Sequence, residues 1–317
     1  MNKNQTLSVT KIIPIEASGV RLDRCLRLWI PKLAQSLIEK AARKGLLKLD
    51  GKKVKPSHLV NEGQSISFPE IFLSLASNIP AAPSVGLTRK DRSWLKSLIL
   101  YEDNDIVVLN KPPGIAVQKG TGITKSLDTM MKSYETAYMA RLVHRLDRET
   151  SGILVFAKSL PMARWLTQAF RERKVQKTYW ALVYGVPEVS QGVISLSLSK
   201  KPTAEKMQVD QDKGLAAMTC FRVLETSKNN VTWLELTPTT GRTHQLRVHC
   251  WEGLKTPILG DRKYGGREAI PFGRTDLYLH ARSLVIPLPQ GNTLTFEAAP
   301  PKNFIEELKK HSLNNKN

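Results

Sequence analysis

The segment HRLDRETSGILVFA, residues 144–157, joins a dense polar cluster to an apolar run. The run from Ile153 to Ala157 is typical of a short buried strand, and catalytic groups often lie on loops that such strands position. Asp147 lies between Arg145 and Arg148, and a nearby opposite charge keeps a carboxylate ionised. The segment therefore predicts an α/β domain with a candidate nucleophile or base at the start of a strand. A solvated loop, whose charged side chains pair among themselves and cap the turn at residues 150–152, explains the same pattern equally well.

A second polar cluster, TTGRTHQLRVH at residues 239–249, follows another apolar strand. Gly241 permits a tight turn, and Thr243 can cap a helix that carries Arg247 and His249. This pattern predicts a loop that binds an anion. It does not predict a metal site, because its two histidines are five residues apart and diverge by about 140° on a helix that turns about 100° per residue.

The composition of the whole chain limits the classes of protein to consider. A length of 317 residues is typical of two domains, each with its own core. The 48 Lys and Arg residues exceed the 28 Asp and Glu residues and give a net charge of +20, which favours a polyanionic partner. A hydrophobic share of 41% and a charged share of 24% are ordinary for a folded protein and exclude a wholly disordered basic chain.

The cysteines and the apolar segments indicate the compartment. Cys25, Cys220 and Cys250 are odd in number and widely spaced, so we expect neither a disulfide framework nor a zinc knuckle. The N-terminus lacks the apolar core of a secretory signal. The longest uncharged run, residues 71–88, contains prolines and serines that a membrane-spanning helix would not carry. We therefore expect a cytoplasmic protein without a membrane segment.

The first part of the chain, residues 19–69, predicts a small, mixed α/β domain. Two short helical patterns flank Pro31, Gly45 ends the second one, and Asp50-Gly51 is a favoured hairpin turn. Between residues 21 and 55 there are eleven basic residues and three acidic ones, which predicts a cationic surface. Its candidate residues for binding a polyanionic partner are Arg21, Arg24, Arg43, Lys44, Lys52 and Lys53.

The remaining chain predicts a larger α/β domain of short buried strands and intervening helices. The clearest strands are 106–110, 153–157, 179–184 and 232–237, and the clearest helix is 161–173. The predicted division is an N-terminal extension at 1–18, the small domain at 19–69, a linker at 70–88, the larger domain at 89–308 and a polar tail at 309–317.

Three further fragments have ordinary structural explanations. NKPPG, residues 110–114, ends a strand in a rigid turn. Tyr179 opens a strand, where core packing is the more common role of an aromatic residue. GDRKYG, residues 260–265, has the composition of a surface turn.

Taken together and in chain order, these fragments resemble the motifs of the RluA family of pseudouridine synthases. The motifs are NKPPG at 110–114, HRLDRETSG at 144–152, KTYWALVYG at 177–185, TGRTHQLRVH at 240–249 and LHA at 279–281. The resemblance extends from about residue 101 to residue 301. Residues 19–69 resemble the S4 RNA-binding module of the RluC branch, whose members modify large-subunit ribosomal RNA.

The resemblance implies a pseudouridine synthase fold with a central mixed, mainly antiparallel sheet, preceded by the S4-like module. It implies isomerisation of specific uridines in 23S ribosomal RNA, free or in a ribosome assembly intermediate, without a cofactor or metal. We also expect a monomer.

The resemblance also assigns roles to individual residues. Asp147 matches the catalytic aspartate, Tyr179 the active-site tyrosine and Arg247 the arginine that pairs with the aspartate. Arg145 matches the residue that helps to displace the target base, and Arg242 matches a phosphate or base contact. These roles agree with physical chemistry, because a buried carboxylate stays ionised only beside a compensating charge and an extruded base needs a stacking surface.

Two other classes of protein fit part of the pattern. A noncatalytic ribosome-assembly factor would bind RNA through the small domain, but it predicts loss of Asp147 or Tyr179, and both are present. An RNA glycosidase would use Asp147 at C1′ to release the base, and it would often need a second carboxylate as acid. Glu149 is the nearest candidate.

Overall fold

The chain divides into two units, Met1–Gly86 and Leu87–Asn317. The computed structural model describes residues 7–14, 17–30, 33–73, 87–119, 125–134, 140–201, 206–271, 273 and 276–314. Most of the predicted linker at 70–88, namely residues 74–86, lies outside the described residues.

The first unit combines short antiparallel strands with two helices. Its strands are β1 (Ser8–Ile12), β2 (Val20–Arg21), β3 (Lys48–Leu49), β4 (Lys52–Lys53), β5 (Leu59–Val60) and β6 (Ser65–Pro69), and its helices are α1 (Leu22–Trp29) and α2 (Gln35–Arg43). Within the described residues, β1, β6, β3 and β4 form one sheet in that order, and β2 pairs with β5. Because β1 pairs along its whole length with β6, this unit reaches further toward the N-terminus than the predicted start at residue 19.

The local sequence explains the helix and hairpin boundaries of this unit. Leu22, Cys25 and Leu26 place one buried face on α1, and Ile38 and Ala41 do the same on α2. The predicted Asp50-Gly51 turn is confirmed. Both residues have positive φ, 48° and 77°, which is the backbone of the tight hairpin between β3 and β4. The six candidate RNA-binding cations of this unit are all exposed.

The second unit is built around one large sheet. Its strands are β7 (Ile99–Glu102), β8 (Ile106–Lys111), β9 (Arg141–Leu142), β10 (Ser151–Ala157), β11 (Gln176–Tyr184), β12 (Gln191–Lys200), β13 (Met207–Val209), β14 (Leu215–Thr226), β15 (Val231–Pro238), β16 (Leu279–Pro287) and β17 (Thr293–Glu297). Its helices are α3 (Arg89–Leu98), α4 (Leu127–Tyr134), α5 (Leu160–Arg171), α6 (Gln245–Val248), which continues as a π-helical turn at His249–Gly253, and α7 (Lys302–Lys310).

Within the described residues, these eleven strands form a sheet ordered β13-β12-β14-β15-β11-β16-β10-β8-β7, with β17 on β16 and β9 on β10. The pairing of β10 with β16 is parallel, and the other described pairings in the sheet are antiparallel. The expected mixed, mainly antiparallel sheet is therefore confirmed. None of the helices in the described ranges has the length and apolar character needed to cross a bilayer.

The start of the second unit is set by a helix cap. The Thr88 hydroxyl accepts a hydrogen bond from the backbone N–H of Asp91, whose carboxylate in turn accepts one from the Thr88 N–H. This reciprocal arrangement satisfies two donors at the N-terminus of α3. The folded unit therefore includes Thr88, one residue before the predicted domain start at residue 89.

Candidate active site

A cleft of about 450 Å³ opens on the second unit. It lies between the loop that precedes β10, the end of α5, the start of β11 and the loop that joins β15 to α6. Its volume is within the range of ligand sites, roughly 300–1,000 Å³. Asp147, Tyr179, Arg145, Arg242 and Arg247 all line it, so the structure brings the five candidate residues of this domain together.

His144 fixes the first end of the Asp147 loop. Its Nε2 accepts a hydrogen bond from the Val155 backbone N–H at 3.0 Å, and its ring stacks on Phe170 at 4.5 Å between centroids. An N–H can only donate, so Nε2 carries a lone pair and the ring is neutral. Burial, with a contribution from the charge of Lys177, lowers the pKa of His144 to about 3. The loop is thus held to β10 through an uncharged imidazole.

We expect His144 to make the protein less stable at acidic pH. Between its ordinary pKa of 6.5 and the folded value of about 3, the unfolded chain binds a proton that the folded chain does not. The free energy of unfolding therefore falls as the pH drops below 6.5. Above pH 6.5, this histidine does not change the free energy of unfolding. His144→Gln keeps an acceptor for Val155 but does not titrate. Urea unfolding at pH 7 and pH 5 should show that the wild type loses about 1–2 kcal/mol more than the variant. Equal losses would contradict a neutral ring in the folded protein.

Lys111 fixes the other end of the same loop. This lysine is fully buried, and its Nζ donates to the backbone carbonyls of Pro112, Ile115 and Arg148 at 2.8, 3.0 and 2.8 Å. Three carbonyls match the three donors of an ammonium group. Burial lowers the pKa of Lys111 to about 7, although the negative charges of Glu149 and Asp147 act to raise it. The NKPPG motif is therefore more than a rigid turn, because it ties down the residue that follows Asp147.

The parallel pairing of β10 and β16 explains the TSG and LHA motifs. Gly152 has φ +109°, and a Cβ there would lie 2.2 Å from the backbone oxygen of Ala281, so glycine allows the two strands to approach. The Ser151 hydroxyl and His280 Nδ1 are hydrogen-bonded at 2.9 Å. Ser151 and Gly152 thus begin β10. The turn lies earlier, where Thr150 N–H donates to the carbonyl of Asp147, so the interpretation of residues 150–152 as a turn was wrong.

Asp147 faces the cleft and lies close to His244. Its side chain is 21% exposed, and Oδ2 lies 3.7 Å from Nε2 of His244. Burial lowers the pKa of His244, while the negative charge of Asp147 acts in the opposite direction. The Nδ1 atom of His244 is hydrogen-bonded at 2.7 Å to the hydroxyl of Tyr264, which itself accepts from the Met207 N–H. Among the described residues that line the cleft, Asp147 supplies the single carboxylate.

Arg247 does not pair with Asp147 as predicted. Its guanidinium forms a two-point ion pair with Asp261, with distances of 2.8 Å from Nε and 2.6 Å from Nη2. Burial alone would lower the pKa of Arg247, but the hydrogen bonds and charge of Asp261 raise it, and the charge of Asp147 adds to this. Arg247 and Asp261 are 8% and 1% exposed, so the guanidinium requires a hydrogen-bonded counterion. Asp147 acts on it only through its field.

The interpretation of residues 260–265 as a surface turn was therefore wrong. Asp261 also accepts the backbone N–H groups of Lys263 and Tyr264, and Tyr264 contacts His244. Gly260, at φ +78°, lets this turn pack against the Asp276 carbonyl. The sequence contained a weak signal for this arrangement, since a glycine at each end of a short acidic and aromatic segment permits a close backbone approach.

The predicted cap at Thr243 was also wrong. His244 occupies the N-cap position of α6 with φ 53° and makes no capping hydrogen bond through its side chain. Instead, Gln245 Oε1 accepts from the Arg242 N–H and from the Thr240 hydroxyl. The loop is thus closed by its own side chains, and its capacity to bind an anion rests on arginine side chains. The Nε atom of Arg242 donates a hydrogen bond to the Ala216 carbonyl at 3.2 Å.

Tyr179 both packs against the core and borders the cleft. It sits at a bulge in the pairing of β11 with β16, is half-buried, and packs against two hydrophobic clusters. It also lines the cleft. Burial raises the pKa of its phenol, and the charge of Asp147 raises it further. The hydroxyl is therefore protonated at neutral pH.

Glu149 lies outside the lining of the cleft and forms an exposed ion pair with Arg148 at 3.0 Å. The second carboxylate that a glycosidase would often use is thus not beside Asp147.

Comparison with known proteins identifies the family. The family described as RNA pseudouridylate synthase matches residues 105–252. Ribosomal large subunit pseudouridine synthase C of Rickettsia bellii is 37% identical over 295 residues, which cover 90% of this chain and 95% of that protein. This chain belongs to the RNA pseudouridylate synthase family. The resemblance of residues 101–301 to this family is confirmed, and with it an enzyme that forms pseudouridine in RNA. The resemblance of residues 19–69 to the S4 module stays a prediction.

Other relatives of the synthase agree. Ribosomal large subunit pseudouridine synthase C of Vibrio cholerae is 33% identical over 312 residues, which cover 97% of this chain and 98% of that protein. A solved structure, human RNA pseudouridylate synthase domain containing 4, is 31% identical with a TM-score of 0.59, covering 70% of this chain and 95% of that one. The residues matched by the family include Arg145, Asp147, Tyr179, Arg242 and Arg247 but end before Asp261.

Proposed function

We propose that this synthase isomerises specific uridines of 23S, large-subunit ribosomal RNA in the cytoplasm, with Asp147 as the catalytic carboxylate. The names of the bacterial relatives support the substrate. One observation supports the residue above all: among the described residues that line the cleft, Asp147 supplies the single carboxylate, and the charged side chains around it are cations. A reaction on an RNA strand needs cations for the phosphates and an anion at the reacting sugar or base.

Each of the cleft residues has a separate role in the reaction. The target base must leave the RNA helix, at a cost of a few kcal/mol. Arg145 is exposed at the cleft and makes no hydrogen bond or ion pair with a described residue, so its side chain is available to occupy the space that the base leaves. Tyr179 stacks on the extruded uracil, because its phenol keeps its proton and the ring offers a neutral aromatic face.

Asp147 then acts on the sugar or the base as an anion. The N1–C1′ bond breaks, the uracil turns, C5 bonds to C1′, the C5 proton leaves and N1 takes up a proton, so that atoms are conserved and no cofactor is consumed. Arg247, held in place by Asp261, carries a positive charge that interacts with the charge of Asp147. The neutral His244 adds a polar contact without adding charge.

We also propose that the first unit is an S4-like RNA-binding module. Arg21, Arg24, Arg43, Lys44, Lys52 and Lys53 are exposed on it. Arg21 is partly neutralised by Asp23 at 2.7 Å, so the remaining five carry most of the attraction. Each phosphate that they neutralise contributes to the salt dependence of binding. We propose that the protein works as a monomer.

The function is tested by incubating the purified monomer with an unmodified large-subunit ribosomal RNA transcript and mapping pseudouridine. We expect pseudouridine at a small number of positions and none in a small-subunit transcript treated in parallel. Free uracil among the products would indicate a glycosidase instead. RNA binding without any modified uridine would indicate an assembly factor.

The same assay tests the module with a fragment that begins at Leu87 and so retains the Thr88 cap. We expect the fragment to remain folded and to modify RNA with weaker binding, a smaller salt dependence and more scattered sites. Site choice equal to that of the full chain would count against the module.

A further inference from the structure

The end of α5 carries an arginine where a glycine is usual. Arg173 has φ +61°, its N–H donates to the Phe170 carbonyl, and the Lys174 N–H donates to the Ala169 carbonyl at 2.9 Å. This pair of bonds is the Schellman helix end, whose left-handed residue is usually glycine because a Cβ is disfavoured there.

Another helix of the same chain shows the usual solution. α2 ends with the same two bonds, from Gly45 to Ala42 and from Leu46 to Ala41, and Gly45 has φ +69°. α7 ends similarly with a small residue, Ser312. A long cationic side chain at this position of α5 is thus not required by the backbone and works against it. Such strain is commonly retained where the side chain has a function.

The side chain of Arg173 lies at the cleft. Arg171 and Arg173 both line one wall of it, both are exposed, and neither forms a side-chain hydrogen bond or ion pair with a described residue. The acidic residue between them is already occupied, since Glu172 binds Lys174 at 2.8 Å and Gln168 at 2.7 Å. The charge of Arg171 also acts on Glu172, but no described hydrogen bond or ion pair holds either guanidinium group, so both can bind an anion.

A third cation faces the same space. Lys177 is half-buried on this wall, and its Nζ donates to the Thr240 carbonyl at 3.2 Å. Burial lowers the pKa of Lys177, and the positive charge of Arg173 lowers it further. Cations that repel one another are stabilised when an anion binds between them.

We propose that Arg171, Arg173 and Lys177 form a binding site for a backbone phosphate of the RNA strand next to the target uridine. The proposal rests on the function proposed above, because that function places an RNA strand in this cleft. The planar guanidinium groups suit two-point contact with phosphate oxygens, and Lys177 adds a point charge at the base of the wall. The site fixes the strand and takes no part in bond breaking.

Arg173→Gly separates binding from structure. Glycine relieves the left-handed backbone, so we expect the melting temperature to rise by about 2 °C, while one phosphate contact is lost. The dissociation constant for an RNA substrate should increase by about 3–10-fold, and the slope of log affinity against log salt should shrink by about 0.7. KM should rise while kcat stays near the wild-type value.

Lys255→Gly is the matched control. Lys255 is exposed, also has a positive φ of 57°, and lies outside the cleft lining. Its ion pair with Glu252, at 3.6 Å, is on the surface and contributes little to stability. This variant therefore loses the same charge and the same backbone strain. We expect a similar rise in melting temperature without a change in RNA affinity or in the salt slope beyond experimental error.

A weaker affinity and smaller slope for Arg173→Gly than for Lys255→Gly support the phosphate site, and equal behaviour of the two variants overturns it. Arg171→Gln, on the last turn of the helix, is a second test that does not depend on the backbone of residue 173. This variant should also have a weaker affinity for RNA. If the wild type binds RNA but forms no pseudouridine, the proposed function fails, while this comparison of affinities still decides the phosphate site.

Discussion

Asp147→Asn is expected to lower the rate of pseudouridine formation by about 10⁴-fold or more while RNA still binds. Asparagine has nearly the same shape and can still face His244, but it is neither a nucleophile nor a base. Because the side chain is 21% exposed and its ionisable contact is a histidine at 3.7 Å, the folded structure should tolerate the change. Removing the negative charge from a cationic cleft should make RNA affinity equal to or slightly tighter than that of the wild type.

Single-turnover assays of pseudouridine, with RNA affinity measured by fluorescence anisotropy, check this result. Glu149→Gln is the control, because it removes a carboxylate two residues away that lies outside the cleft. We expect that variant to keep its rate within about twofold of the wild type, as for most surface substitutions. A large loss of rate in both variants would point to a pair of carboxylates, as in a glycosidase. An active Asp147→Asn would remove the carboxylate from the mechanism.

The sequence predicted the elements that are local and periodic. The apolar runs at 106–110 and 153–157 became β8 and β10 with shifts of one or two residues, because buried strands leave a continuous apolar signal. β11 begins at Gln176, three residues before its predicted start, since its first residues are polar and pair with β16 through the backbone alone. Backbone pairing of this kind leaves no recognisable pattern in the amino-acid sequence.

Helix ends were harder to predict for the same reason. The pattern 161–173 extends two residues beyond the C-terminal end of α5, because Arg173 is a good helix former by propensity and yet adopts the left-handed backbone that ends the helix. Similarly, the apolar spacing after Gly241 suggested a capped helix, whereas the structure has four α-helical residues followed by a π-helical turn. Tertiary contacts overrode local preference at both positions.

The candidate site shows the same limit. The order of the motifs predicted that Asp147, Tyr179 and Arg247 belong to one site, but it did not reveal the hydrogen-bonding partner of Arg247. Asp261 is fourteen residues away, and it reaches the guanidinium through a turn that depends on the close packing of Gly260 against Asp276. A pairing of this type is decided by the path of the backbone in three dimensions.

The buried ion pair between Asp261 and Arg247 leads to the largest expected change in stability. Asp261→Ala leaves a guanidinium that is 8% exposed without its counterion and removes the acceptor of two backbone N–H groups. Breaking a buried pair on one side costs about 3–5 kcal/mol in the free energy of unfolding. Urea unfolding should show this loss. Asp276→Ala, which removes an exposed carboxylate near the same turn, should cost less than about 0.5 kcal/mol.

A double variant separates stability from catalysis. In Arg247→Met with Asp261→Leu, both charges are replaced by apolar side chains, which often restores stability because neither ion remains unpaired in the interior. We expect the double variant to recover much of the loss seen in Asp261→Ala and yet to stay poorly active, because the positive field beside Asp147 is gone. Recovery of activity together with stability would mean that Arg247 serves only the fold. A loss below about 1 kcal/mol in Asp261→Ala would mean that the guanidinium finds another partner, and Asp147, across the cleft, is the one whose charge already acts on it.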